Sequence, residues 1–148
     1  MWNRVVDYLI IAFWIATVII YPMMISIYVT LPLFVGFAGL VLVLGIDEEK
    51  YLYILFSLIY MINLEINLSL PLLLIPISTV FFYIFVKPKL EYIKICKRCV
   101  YIVTVLSINI IYFIFLAIYD FINSQSSINY DILIIYSLIY DIIAAVLI

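Results

Sequence analysis

Long apolar runs separated by short polar clusters dominate the chain. Residues 5–29 form the first run, interrupted by Asp7 at its edge and by Pro22. Residues 31–46 form the second, closed by Asp47-Glu48-Glu49-Lys50. The next runs cover 51–66 and 69–86, and the hydrophilic stretch Lys87–Arg98 follows. Residues 100–122 and 132–148 complete the set, separated by the polar loop Asn123–Asp131. A membrane-crossing helix needs roughly 20 apolar residues, with a range of about 17–25. The pattern therefore predicts six such helices.

Two divisions within these runs need a physical reason. Tyr51–Val86 read as one helix would be about 54 Å long at 1.5 Å per residue. A hydrocarbon core is about 30 Å thick, so the chain must turn within that stretch. Asn63, Glu65, Asn67 and Ser69 form a polar cluster there, followed by Pro71. Turn chemistry of this kind places the break. The same reasoning splits the first 46 residues near Thr30-Leu31-Pro32. Pro32 and Pro71 are expected to start their helices, where a missing N–H costs little. Pro22 and Pro76 are expected to kink or shorten theirs.

Composition points the same way. The 148 residues are 70% hydrophobic and 11% charged, with a mean hydropathy of +1.39. Soluble domains average about 45–50% apolar and about 25% charged. A water-soluble fold of this size does not hide so much apolar surface. The runs are too long and too evenly apolar for barrel strands. The expected class is an all-α integral membrane protein: one transmembrane domain over 1–148, a polytopic bundle of six transmembrane helices. The N-terminus has one basic residue, Arg4, and an apolar run too long for the core of a cleavable signal peptide.

Charge orients this bundle. With Lys87–Arg98 in the cytoplasm, as the positive-inside rule requires, counting spans outward brings Arg4 and Lys50 to the same side. All seven Lys and Arg residues then share one face. Both termini are expected to be cytoplasmic, in a bacterial inner membrane.

Little in the sequence carries chemistry. Histidine is absent, which excludes His-based acid–base catalysis and His-ligated metal or haem. No Walker loop, nucleophile elbow or dinucleotide loop occurs. No Lys lies inside a span, so there is no site for a retinal-type Schiff base. No enzymatic activity and no cofactor or metal site is expected.

Three groups of polar residues remain as candidates. Asp141 falls about 15 Å into the last span at 1.5 Å per residue. A carboxylate at such depth costs about 2.5–3.5 kcal/mol to insert, so it needs a proton, a partner or a cavity. Asn109 lies at a similar depth in the preceding span, and a hydrogen bond between the two would satisfy both. That pair is either a proton or partner site, or simply a helix-pairing bond. Glu65 with Asn63 and Asn67 forms a candidate outer-face polar site, or else a hairpin turn satisfied by water. Lys87, Lys89, Lys94, Lys97 and Arg98 form a basic patch suited to anionic lipid or to a cytoplasmic partner, with Glu91 placed to pair with Lys87 or Lys94. Nucleic acid is not an expected partner. Cys96 and Cys99 make a C-x-x-C without the βαβ context of a redox fold, and with too few ligands for zinc. They are expected to be inert.

The layout resembles the rod shape-determining protein MreD family, small inner-membrane proteins with almost no soluble part. The local likeness is greatest over Phe56–Ile77, FSLIYMINLEINLSLPLLLIPI. There an apolar helix ends in an acidic residue, Glu65, followed by a Ser/Pro turn at Ser69 and Pro71 and a Leu-rich helix. The last span, with Tyr140-Asp141 near its middle, is also similar. The glycines usual around the turn and a basic C-terminal tail are missing. The resemblance implies a non-enzymatic subunit of a cell-shape and cell-wall elongation complex, binding a partner membrane protein such as MreC and serving peptidoglycan synthesis.

A second reading is a small-solute binding or transport component, like the substrate-binding subunits of vitamin importers. It predicts a cavity open to the outside and lined by Asn63, Glu65, Asn67 and Asp120. A third is a proton-coupled subunit using Asp141.

Overall fold

A computed structural model describes residues 2–28, 30–93, 96–124 and 131–148. The described chain is helical: α1 (Trp2–Ile27), α2 (Val35–Asp47), α3 (Tyr51–Asn67), α4 (Leu74–Phe81), α5 (Lys87–Tyr92), α6 (Lys97–Asn123) and α7 (Asp131–Leu147). A π-helical turn, Phe82–Val86, joins α4 to α5, so the described residues form six rods. Two of the helices, over Arg4–Ile27 and Lys97–Asn123, are long and apolar enough to cross a membrane by themselves. α2, α3 and Ile135–Leu147 are apolar but shorter.

The centre of the molecule is α2. Its sequence, VGFAGLVLVLGID, offers no polar face before its last residue. A helix apolar all round belongs inside, and α2 packs on α3, α4, α6 and α7. Val35 and Leu42 are buried in a cluster with Leu33, Met61, Leu64, Ile75 and Tyr112, while Leu40 packs with Val105 and Ala145, and Val43 with Phe82 and Ile108. Gly36 allows α6 to come close. A Cβ there would stand 2.2 Å from Asn109 Nδ2 and 2.9 Å from Val105 Cγ1. α1 is peripheral and leans mainly on α3. Its outward residues, among them Phe13, Trp14 and Ile20, are exposed.

Helix starts differ from the sequence expectation. α2 begins at Val35 and α4 at Leu74, so Pro32 and Pro71 lie in the preceding turns and do not open the helices. The residue ahead of each helix is left-handed: Phe34 at φ 50° and Leu73 at φ 66°. That conformation is rare for residues with a Cβ, and here it breaks the chain direction just before each helix. The two turns share a sequence pattern. Thr30-Leu31-Pro32-Leu33-Phe34-Val35-Gly36 aligns with Ser69-Leu70-Pro71-Leu72-Leu73-Leu74-Ile75, with a left-handed residue at the fifth position of both and a second one at Ser69.

Pro76 does not kink α4. It is the third residue of that helix, where the backbone N–H has no intrahelical acceptor in any case. The irregularity comes later, at the π turn. Pro88 lacks an N–H, and its ring crowds the carbonyl four residues earlier, that of Ile84. Widening to a π turn over Phe82–Val86 removes that clash. The basic stretch is divided between two helices: α5 ends at Tyr92 and α6 begins at Lys97.

Candidate functional site

Asp141, on α7, reaches the start of α2. Its Oδ2 accepts the Gly36 N–H at 3.0 Å, and its Oδ1 accepts the Phe37 N–H at 3.4 Å. Asn109 of α6 donates through Nδ2 to the same Oδ2 at 3.0 Å and to its own-helix Val105 carbonyl at 3.1 Å. The Asp141 side chain is fully buried. The structure thus brings Asp141 and Asn109 together, and adds two backbone donors that depth alone did not indicate. The first N–H groups of a helix have no intrahelical partner and carry the positive end of its dipole. A carboxylate satisfies both conditions, and this one is supplied from 105 positions away in the chain.

Glu65 does the same for α4. Oε2 accepts the Leu73 N–H at 2.6 Å and Oε1 accepts the Ile75 N–H at 2.6 Å. Its side chain is fully buried, so the expected water-satisfied turn at the surface is not what forms. Each of the two left-handed helix starts is therefore closed by a buried carboxylate from another helix.

Asn63 and Asn67 belong to a different contact. Asn63 Nδ2 donates to the carbonyls of Val18 at 3.3 Å and Ile19 at 3.1 Å. Val18 is four residues before Pro22, which has no N–H to offer it. Asn63 supplies the missing donor from α3. Asn67 Nδ2 then donates to Asn63 Oδ1 and to the Asn63 carbonyl, both at 2.8 Å. The three residues expected to share one outer-face site thus divide: Asn63 and Asn67 serve α1 and each other, while Glu65 serves α4.

The irregular turn before α2 is served in the same manner. The Tyr21 hydroxyl donates to the Pro32 carbonyl at 2.9 Å, and the Tyr60 hydroxyl to the Leu33 carbonyl at 2.8 Å. Ser57 donates to the Ala38 carbonyl at 2.6 Å. Among the described residues, no buried side-chain nitrogen or oxygen lacks a partner.

The basic patch is divided too. Lys87 pairs with Asp47 at the end of α2, lies 3.8 Å from Glu91 and rests over the Tyr83 ring. It is used inside the molecule. Lys89, Lys97 and Arg98 are exposed, and Lys94 lies outside the described residues. Lys50 pairs with Glu48 at 2.5 Å, and that carboxylate holds the ammonium above its ordinary pKa. Cys96 and Cys99 are joined by a disulfide. A cleft between α2, α5 and α6 is lined by Leu40, Val43, Asp47, Lys87, Tyr101 and Thr104, with a volume of about 290 Å3. Ligand pockets usually measure about 300–1,000 Å3, so it falls just below that class. No protein-family model, curated protein or solved structure matches the chain.

Proposed function

We propose that the protein is a six-span membrane subunit of non-enzymatic, scaffolding character. The observation that carries this reading is the treatment of the break before α2. That helix has 13 residues, about 20 Å, too short for a core of about 30 Å. The chain completes the crossing through the turn before it. In lipid, non-helical backbone is tolerated only where protein covers it and satisfies its polar groups. Here Tyr21 and Tyr60 donate to the turn carbonyls, and Asp141 accepts the helix-start N–H groups. The apolar residues exposed on α1 then face lipid tails or partner helices, and the basic residues face the cytoplasm.

The scaffolding part of the reading follows from how the polar side chains are used. Asp141, Asn109, Glu65, Asn63 and Asn67 are engaged with backbone groups and with one another. They hold the bundle together and do not converge on a common space. This favours a subunit that presents a fixed surface to other membrane proteins over a solute carrier lined by Asn63, Glu65 and Asn67. A place in a cell-shape and cell-wall elongation complex, beside a partner such as MreC, follows from the MreD-like layout and is part of the proposal. Extraction in mild detergent tests it. Co-purification with proteins of the elongation machinery is the expected result. Emergence of the protein alone, tightly holding a small molecule, would replace the scaffold with the solute-binding reading.

A further inference from the structure

The pair Cys96–Cys99 is the motif that the scaffold reading leaves unused. Cys96 is the N-cap of α6, a helix of 27 residues, and Cys99 lies in its first turn. The Cys99 backbone N–H donates to Cys96 Sγ at 3.2 Å. Cys96 is exposed and Cys99 half-buried. Lys97 and Arg98, both exposed, stand between them. The structure joins the two sulfurs in a disulfide.

These features combine in one direction. A thiol at a helix N-terminus beside basic residues has its thiolate stabilised. The exposed position of Cys96 gives an incoming thiol a path to its sulfur. The loop closed by the bond is very short, so the bond does little to constrain the unfolded chain. The compartment supplies the rest. On the topology proposed above, which this inference rests on, the pair faces the cytoplasm, where disulfides are rare and, when present, are transient and catalytic or redox-sensing.

We propose that Cys96–Cys99 is a thiol–disulfide exchange site at the cytoplasmic end of α6, serviced by a dithiol reductant. The partner's thiolate attacks Cys96 Sγ. The Cys96–Cys99 bond breaks, Cys99 leaves as a thiolate and takes a proton from water. The partner's second thiolate then attacks its own bridged sulfur and releases Cys96. Two electrons pass to this chain, the partner becomes a disulfide, and bonds and charges balance. Reduction frees the first turn of α6 from its covalent clamp, next to the exposed charges of Lys97 and Arg98.

The test uses the full chain in inverted membrane vesicles, cycled between dithiothreitol and diamide and then treated with a membrane-impermeant maleimide. Two thiols should be labelled after reduction and none after oxidation, reversibly. With oxidised glutathione, the Cys99→Ser variant, which keeps Cys96, should form a mixed disulfide roughly fivefold faster than Cys96→Ser. Equal labelling in both redox states, or equal rates for the two variants, overturns the exchange site and leaves the topology standing. Labelling of the reduced pair from outside intact cells overturns the topology and this proposal together.

Discussion

The Asp141 carboxylate accepts the backbone N–H of Gly36 at 3.0 Å, linking the middle of the last helix to the start of the second. One side chain thereby closes a helix terminus, receives the Asn109 amide and ties α7 to both α2 and α6. Asp141→Ala leaves the Gly36 and Phe37 N–H groups without their acceptor, while the Asn109 amide keeps the Val105 carbonyl. Each buried orphan costs about 1–3 kcal/mol, so two of them predict a loss of about 2–6 kcal/mol. Asp141→Asn keeps an oxygen for the backbone and should lose about half as much. Thermal unfolding in detergent separates the two.

Gly36 should tolerate less than its neighbour. An added Cβ at Gly36 meets Asn109 Nδ2 at 2.2 Å and Asp141 Oδ2 at 3.0 Å, so Gly36→Ala disturbs the hydrogen-bonded junction itself. At Gly39 the nearest atom, at 2.8 Å, is the terminal Cδ1 of Ile108, an end that can turn aside. Overpacking costs typically about 1–3 kcal/mol. Gly36→Ala should fall at the upper end of that range and Gly39→Ala at the lower, measured by the same melting experiment.

Pro22 and Asn63 should be coupled. Asn63→Ala deprives the Val18 carbonyl of its substitute donor and should cost about 1 kcal/mol. Pro22→Ala restores a backbone N–H to that carbonyl. In the Pro22→Ala background the Asn63→Ala loss should shrink by half or more. A double-mutant cycle reads this directly, and additive losses would show that Asn63 acts elsewhere.

Glu65 closes α4 with both oxygens. Glu65→Ala should destabilise by about 2–6 kcal/mol through two orphaned N–H groups. Glu65→Gln, which keeps one carbonyl acceptor, should recover part of that loss. A solute-site role would instead predict that both variants melt like the parent.

The rods were legible because hydrophobic runs and polar breaks report local structure. The Asp141–Asn109 contact was accessible too, since insertion cost demands a partner and depth selects one. Other features were not. Nothing in the one-dimensional pattern says that the donor for Val18 comes from Asn63, because that contact is set by how α3 lies on α1. The role of Glu65 was missed because α4 starts three residues beyond Pro71. A helix beginning at the proline would have left its first N–H groups near the surface. The repeated Thr/Ser-Leu-Pro-Leu pattern at 30–33 and 69–72 was the available signal for both left-handed starts.

The membrane topology is tested most directly by site-specific labelling in intact cells, with Cys96 and Cys99 first replaced by Ser. Ser69→Cys, in the turn before α4, should react with an impermeant maleimide added from outside. Glu49→Cys, in the turn after α2, should react only once the cells are broken. Labelling of both positions in intact cells, or of Glu49→Cys alone, would contradict the six-span arrangement.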